Sequence, residues 1–99
     1  MNNSQKVSEA IVNQGILPLY FNADETVTIE ILKSVYKAGI RAIEYTNRGE
    51  AALKNFTKMV EIRNAEMPDL LLGVGTIKTL EQAKDFEKAG ADFYISPGF

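Results

Sequence analysis

Four short apolar runs, Ile16 to Phe21, Ile40 to Tyr45, Leu70 to Val74 and Phe93 to Ile95, are separated by longer stretches whose apolar residues recur every three or four positions. A short continuous run suits a strand covered on both faces, and a three- and four-residue recurrence suits a helix with one buried stripe. The helical stripes are Val27, Ile31 and Val35, then Leu53, Phe56 and Val60, then the weaker Leu80, Ala83 and Phe86. A further helix, roughly Ser4 to Gln14, precedes the first strand.

The punctuation agrees with these periods. Asp24 or Thr26 is placed to cap the helix after strand one, Gly39 stands where that helix should stop, and Gly90 does the same after Ala89. Met67, Pro68 and Asp69 break the second helix before strand three. Lys37-Ala38-Gly39 before strand two recurs as Lys88-Ala89-Gly90 before strand four, a weak repeat signal.

Strand and helix alternating through short connections imply a parallel sheet with right-handed crossovers, either open and doubly wound or part of a closed barrel. An eight-stranded barrel needs about 200 residues or more, so a chain of 99 residues supplies about half of one. The expected architecture is therefore α/β, the N-terminal half of a parallel (β/α)8 TIM barrel with about four strands and their helices. Residues 1–99 would form one truncated domain.

Composition narrows the chemistry. A net charge of -2 with basic and acidic residues interspersed gives no footprint for a nucleic-acid backbone. No segment has the apolar length of a membrane span or signal peptide, so a cytoplasmic protein without membrane partners is expected. With no cysteine and no histidine, proton transfer falls to carboxylate, lysine, tyrosine or water, and no metal site or cofactor is expected.

In parallel α/β folds ligands bind at the C-terminal ends of the strands. Strand two ends Ile43-Glu44-Tyr45-Thr46-Asn47-Arg48, strand three Gly73-Val74-Gly75-Thr76, and strand four Ile95-Ser96-Pro97-Gly98. Glu44 interrupts an apolar run, and a carboxylate there is costly unless it is functional or paired, for instance with Arg48 or a lysine. Taken alone, Arg48 reads more readily as a solvated surface charge than as an anion clamp, and Thr76 more readily as a helix cap than as a ligand donor. The glycines of Gly73-Val74-Gly75 allow a ligand close to the backbone, and Ser96-Pro97-Gly98 alone is a turn.

Taken in order at consecutive strand ends, Glu-x-Thr-x-Arg, Gly-x-Gly-Thr and Ile-Ser-Pro-Gly resemble the signature of the 2-keto-3-deoxy-6-phosphogluconate (KDPG) aldolase family, which includes 4-hydroxy-2-oxoglutarate aldolases. The likeness runs from about Gly15 to Phe99 and takes in Ala38-Gly39-Ile40-Arg41 and Ala89-Gly90-Ala91. It implies a class I aldolase, in which a lysine amine forms a Schiff base with a 2-keto acid. By that resemblance Glu44 is the general acid/base, Arg48 and Thr76 hold the pyruvate carboxylate, and Pro97 lines the pocket. It also implies a small-molecule 2-keto acid partner and a homo-oligomer, a trimer for the full-length family.

In one respect the chain departs from that pattern. The family's Schiff-base lysine comes from about the sixth strand, and this chain's eight lysines fall on helices, near the first terminus or, for Lys78, in the loop after strand three. The isolated chain is therefore expected to be inactive. Two other readings remain: a half-barrel scaffold that assembles with another half through its unpaired strand edges, and a different phosphate-binding barrel enzyme.

Overall fold

The computed structural model describes residues 3–95, which form α1 (Asn3–Gln14), β1 (Leu19–Tyr20), α2 (Glu25–Lys37), β2 (Ala42–Thr46), α3 (Ala51–Glu66), β3 (Leu71–Gly75), α4 (Leu80–Ala89) and β4 (Phe93–Ile95). The strands pair in the order β1-β2-β3-β4, all parallel. Strands that neighbour in both sequence and space, each joined by a helical crossover, make half of a (β/α)8 barrel. Among the described residues no helix is long and apolar enough to cross a membrane.

Local chemistry sets the element ends. Asp24 caps α2, its carboxylate accepting from the Val27 amide at 3.0 Å. Gly90 ends α4 at φ 110°, a left-handed turn that glycine adopts without strain. Helix α3 stops at Glu66, where the expected Met67-Pro68-Asp69 break begins.

The main core lies between the sheet and helices α2, α3 and α4. There Ile43, Tyr45, Leu72 and Val74 meet Leu32, Phe56, Met59 and Phe86. The Phe56 and Phe86 rings cross edge to face at 5.5 Å, a favoured aromatic geometry. On the opposite face Val7 of α1 packs on Ala42 and Leu71, with Ile11, Leu17 and Phe93 around them.

Three details differ from the sequence expectation. Strand β1 is Leu19–Tyr20 rather than Ile16 to Phe21, because Pro18 has no amide to give a ladder and the Gln14 side chain occupies the Arg41 and Ala42 backbone positions further back. Helix α2 turns Thr28 and Leu32 inward, leaving Val27 and Ile31 half-buried, because Thr28 hydrogen-bonds inside the core and needs no solvent. Leu80 is 72% exposed, since two three-residue steps leave it about 120° around the helix from Phe86.

Buried Arg63 of α3 ties the helix layer to the N-terminal ends of the strands. Its Nη1 donates to the Leu70 carbonyl at 2.9 Å and to Asp92 Oδ2 at 2.5 Å, and the same Asp92 oxygen accepts from the Leu72 amide at 2.8 Å. Removing one partner of a buried pair strands the other charge. Arg63→Met should therefore lower unfolding free energy by about 3–5 kcal/mol. Urea denaturation checks this, and a loss no larger than that of an exposed lysine would contradict it.

Candidate active site

A strand covered on both faces sends alternate side chains to opposite layers. In β2, Ile43 and Tyr45 go to the helix layer, so Ala42, Glu44 and Thr46 face the inside of the half-barrel. Register carries that face across the sheet. Leu19, Glu44, Gly73 and Phe93 form one layer, and Thr46, Gly75 and Ile95 form the next toward the C-terminal ends.

Glu44 is 6% exposed, and no hydrogen bond or ion pair reaches its carboxylate among the described residues. The ion pair with Arg48 or a lysine is thus absent. Burial disfavours the charged form and pushes the Glu44 carboxyl above its ordinary value. Its carboxylate leans over Gly75, and a Cβ on Gly75 would overlap it, just as a Cβ on Gly73 would overlap the Phe93 ring. The space above both glycines, expected to admit a ligand, is filled by the chain's own side chains.

Arg48 follows the end of β2 and Thr76 the end of β3. Together with Asn47, Glu50, Lys78 and Gln82 they line an open cleft of about 700 Å³. The Arg48 guanidinium has no side-chain partner among the described residues. Thr76 does not cap α4. That role belongs to Thr79, whose hydroxyl accepts from the Gln82 amide at 3.1 Å, while Thr76 sits at φ 62°. A β-branched residue in the left-handed region is strained, and such strain concentrates at binding sites. The Thr76 amide donates to the Ile95 carbonyl at 3.2 Å, which fixes the turn against β4.

Behind β2 a polar cluster holds the β1–α2 loop. The Asn22 carbonyl accepts from the Tyr45 hydroxyl at 2.7 Å, the Thr28 hydroxyl at 2.9 Å and the Asn55 amide at 3.0 Å. Sequence reading assigned no role to Tyr45, Thr28 or Asn55. A polar group inside an apolar helical stripe, as Thr28 and Asn55 are, was the available signal.

Pro97 lies outside the described residues. No lysine stands on a strand among them, although Lys78 lines the cleft.

A carboxyl whose native value is raised holds its proton longer when folded. Its burial is without charge cost below the ordinary value of 4.5, and stability falls as pH climbs from there through the native value. Glu44→Gln should remove that slope, so the variant melts higher than wild type at pH 7 and level with it near pH 4. Thermal melts followed by circular dichroism across this range decide the matter, and an unchanged slope would refute the assignment to Glu44. Gly75→Ala, which drives a methyl into the carboxylate, should cost about 1–3 kcal/mol by the same method.

The family model for KDPG and KHG aldolase matches residues 7–99. The 2-dehydro-3-deoxy-phosphogluconate aldolase of Pseudoalteromonas atlantica is 35% identical over 99% of this chain and 45% of its own length, and the KHG/KDPG aldolase of Escherichia coli K12 is 28% identical over the same shares. The crystal structure of KDPG aldolase from Legionella pneumophila, with pyruvate captured at low pH as a covalent carbinolamine intermediate, superposes with a TM-score of 0.72 at 31% identity. That match covers 84% of this chain and 38% of the other. The chain spans about 45% of the length of the curated relatives it matches. The half-barrel and the sequence match coincide over the strand ends that carry Glu44, Arg48 and Thr76, and the chain belongs to the KDPG and KHG aldolase family.

Proposed function

We propose that this chain supplies the first half of a class I aldolase that cleaves KDPG to pyruvate and glyceraldehyde 3-phosphate, with 4-hydroxy-2-oxoglutarate cleavage as the related activity. The observation that carries the reading is Glu44, a buried, unpaired carboxyl on the inner face whose proton affinity is raised by that burial. A group that exchanges protons at neutral pH needs that environment, whereas a purely structural one would be paired.

In this reading a lysine amine from outside the chain attacks the C2 ketone, and loss of water gives an iminium. Glu44 takes the C4 hydroxyl proton, the C3–C4 bond breaks into the iminium as the aldehyde leaves, and Glu44 returns the proton to C3 of the enamine. Water then releases pyruvate and the amine. Arg48 and Thr76 grip the substrate C1 carboxylate, the guanidinium as a planar fork and the hydroxyl as a further donor, and Pro97 lines the pocket. The complete protein works as a cytoplasmic trimer without a cofactor.

Because its lysines lie on helices or, for Lys78, in a surface loop, the 99-residue chain should form no borohydride-trapped pyruvyl adduct, whereas the full-length protein should form one. Mass spectrometry reads both. An adduct at a specific lysine of the short chain would overturn its inactivity, and a full-length protein with neither adduct nor KDPG cleavage would overturn the aldolase reading. In the full-length protein Glu44→Gln should lower kcat by about 100-fold or more.

One observation favours a scaffold reading for the chain by itself. Leu19 and Ile95 are 57% and 42% exposed on strands that, among the described residues, pair on one side only. Such edges seek another half-barrel, so light scattering should find an oligomer, and a well-dispersed monomer would sink the idea.

A further inference from the structure

Thr46 stands two residues beyond Glu44 on the inner face of β2 and is 4% exposed. Its hydroxyl is fully buried and has no hydrogen-bond partner, alone in this among the side-chain atoms of the described residues. Glu44 aside, the other buried polar side chains among the described residues are bonded. The Thr28 hydroxyl reaches the Asn22 carbonyl and the Tyr45 hydroxyl, and Asn55 reaches Asn22, Ala23 and Tyr45. Valine has the same shape as threonine and would fill this position without an orphaned polar atom, so packing alone does not account for a hydroxyl here.

The position of Glu44 gives the hydroxyl a use. The Glu44 carboxylate leans over Gly75, and Gly75 is the register partner of Thr46. The acid is thereby drawn from its own layer toward the next, where Thr46 sits. No direct bond joins them, so each keeps an unused hydrogen-bonding position that a single oxygen between them would satisfy. On the neighbouring strands the inner face offers Leu19, Gly73, Gly75 and Phe93, none of them charged or able to donate from a side chain.

We propose that Thr46 is a positioning residue that donates its hydroxyl hydrogen to the oxygen whose proton Glu44 takes, a substrate hydroxyl in the reaction and a water in the free enzyme. Thr46 keeps its own proton throughout. Glu44 accepts one from the bridged oxygen and later returns it, so the exchange balances between substrate and carboxyl. The proposal rests on the aldolase reading for the substrate and on the geometry alone for the bridged oxygen.

The test compares wild type, Thr46→Val and Thr46→Ser in the full-length protein. Thr46→Val should lower kcat on KDPG on the order of tenfold with KM little changed, as expected when an interaction formed in the transition state is removed. Loss of the bridge also leaves the ionised carboxylate less supported. The Glu44 titration, followed by carbon-13 NMR of labelled glutamate and assigned with Glu44→Gln, should therefore move to higher pH. The melting temperature should hold or rise, because an orphaned polar atom is gone, and Thr46→Ser should restore both kcat and the titration. Unchanged kcat and titration in Thr46→Val would overturn the proposal. So would a serine variant as impaired as the valine one with both melting lower, the mark of a packing role. A wild type without KDPG cleavage would defeat the aldolase reading, and the Glu44 titration in the valine variant would still support or overturn the bridge.

Discussion

The two-residue period of β2 governs the molecule. All five residues of the strand are buried, so neither face has solvent to absorb an error. Tyr45 must enter the helix layer, where its hydroxyl joins the Asn22, Thr28 and Asn55 cluster, and Glu44 must then enter the opposite layer. A shift of one residue would bury the acid among Phe56, Met59 and Leu72 and turn the tyrosine inside out. The placement of the acid is thus enforced by the same pleat that builds the core.

The inner and outer layers follow different rules. Outside, polar groups are matched: Arg63 is met by Asp92 and the Leu70 carbonyl, and Asp24 and Thr79 cap their helices. Inside and at the strand ends, local preferences are broken together by an unpaired carboxyl, an orphaned hydroxyl and a threonine in the left-handed region. Such violations gather where a chain is built to act on something other than itself.

Much of this was legible in the sequence because the periods of two and 3.6 are written into apolar spacing. The four parallel strands follow from it, the stops at Gly39 and Gly90 follow from residue type, and of the two caps offered, Asp24 and Thr26, the structure uses Asp24. The faces of the helices were harder to read, because apolar spacing cannot foresee that Thr28 and Asn55 are satisfied inside and so take inward positions from Val27 and Leu53. At the candidate site, the strand ends and the aldolase-like order of motifs singled out Glu44, Arg48 and Thr76. The orphaned Thr46 hydroxyl and the filled space above Gly73 and Gly75 depend on three-dimensional neighbours, and no local pattern announces them.

Gln14 ends α1 with its side-chain amide laid against the start of β2. Its oxygen accepts from the Arg41 and Ala42 amides at 2.6 and 3.0 Å, and its nitrogen donates to the Ala42 and Ile16 carbonyls at 3.0 and 2.8 Å. One side chain thereby stands in for a missing rung of strand β1. A carboxamide can make that set of contacts at only one pair of backbone units, so the first helix gauges where β2 begins. The acid's position along the strand is measured off from the start of β2, by a side chain that grips the strand two residues before it.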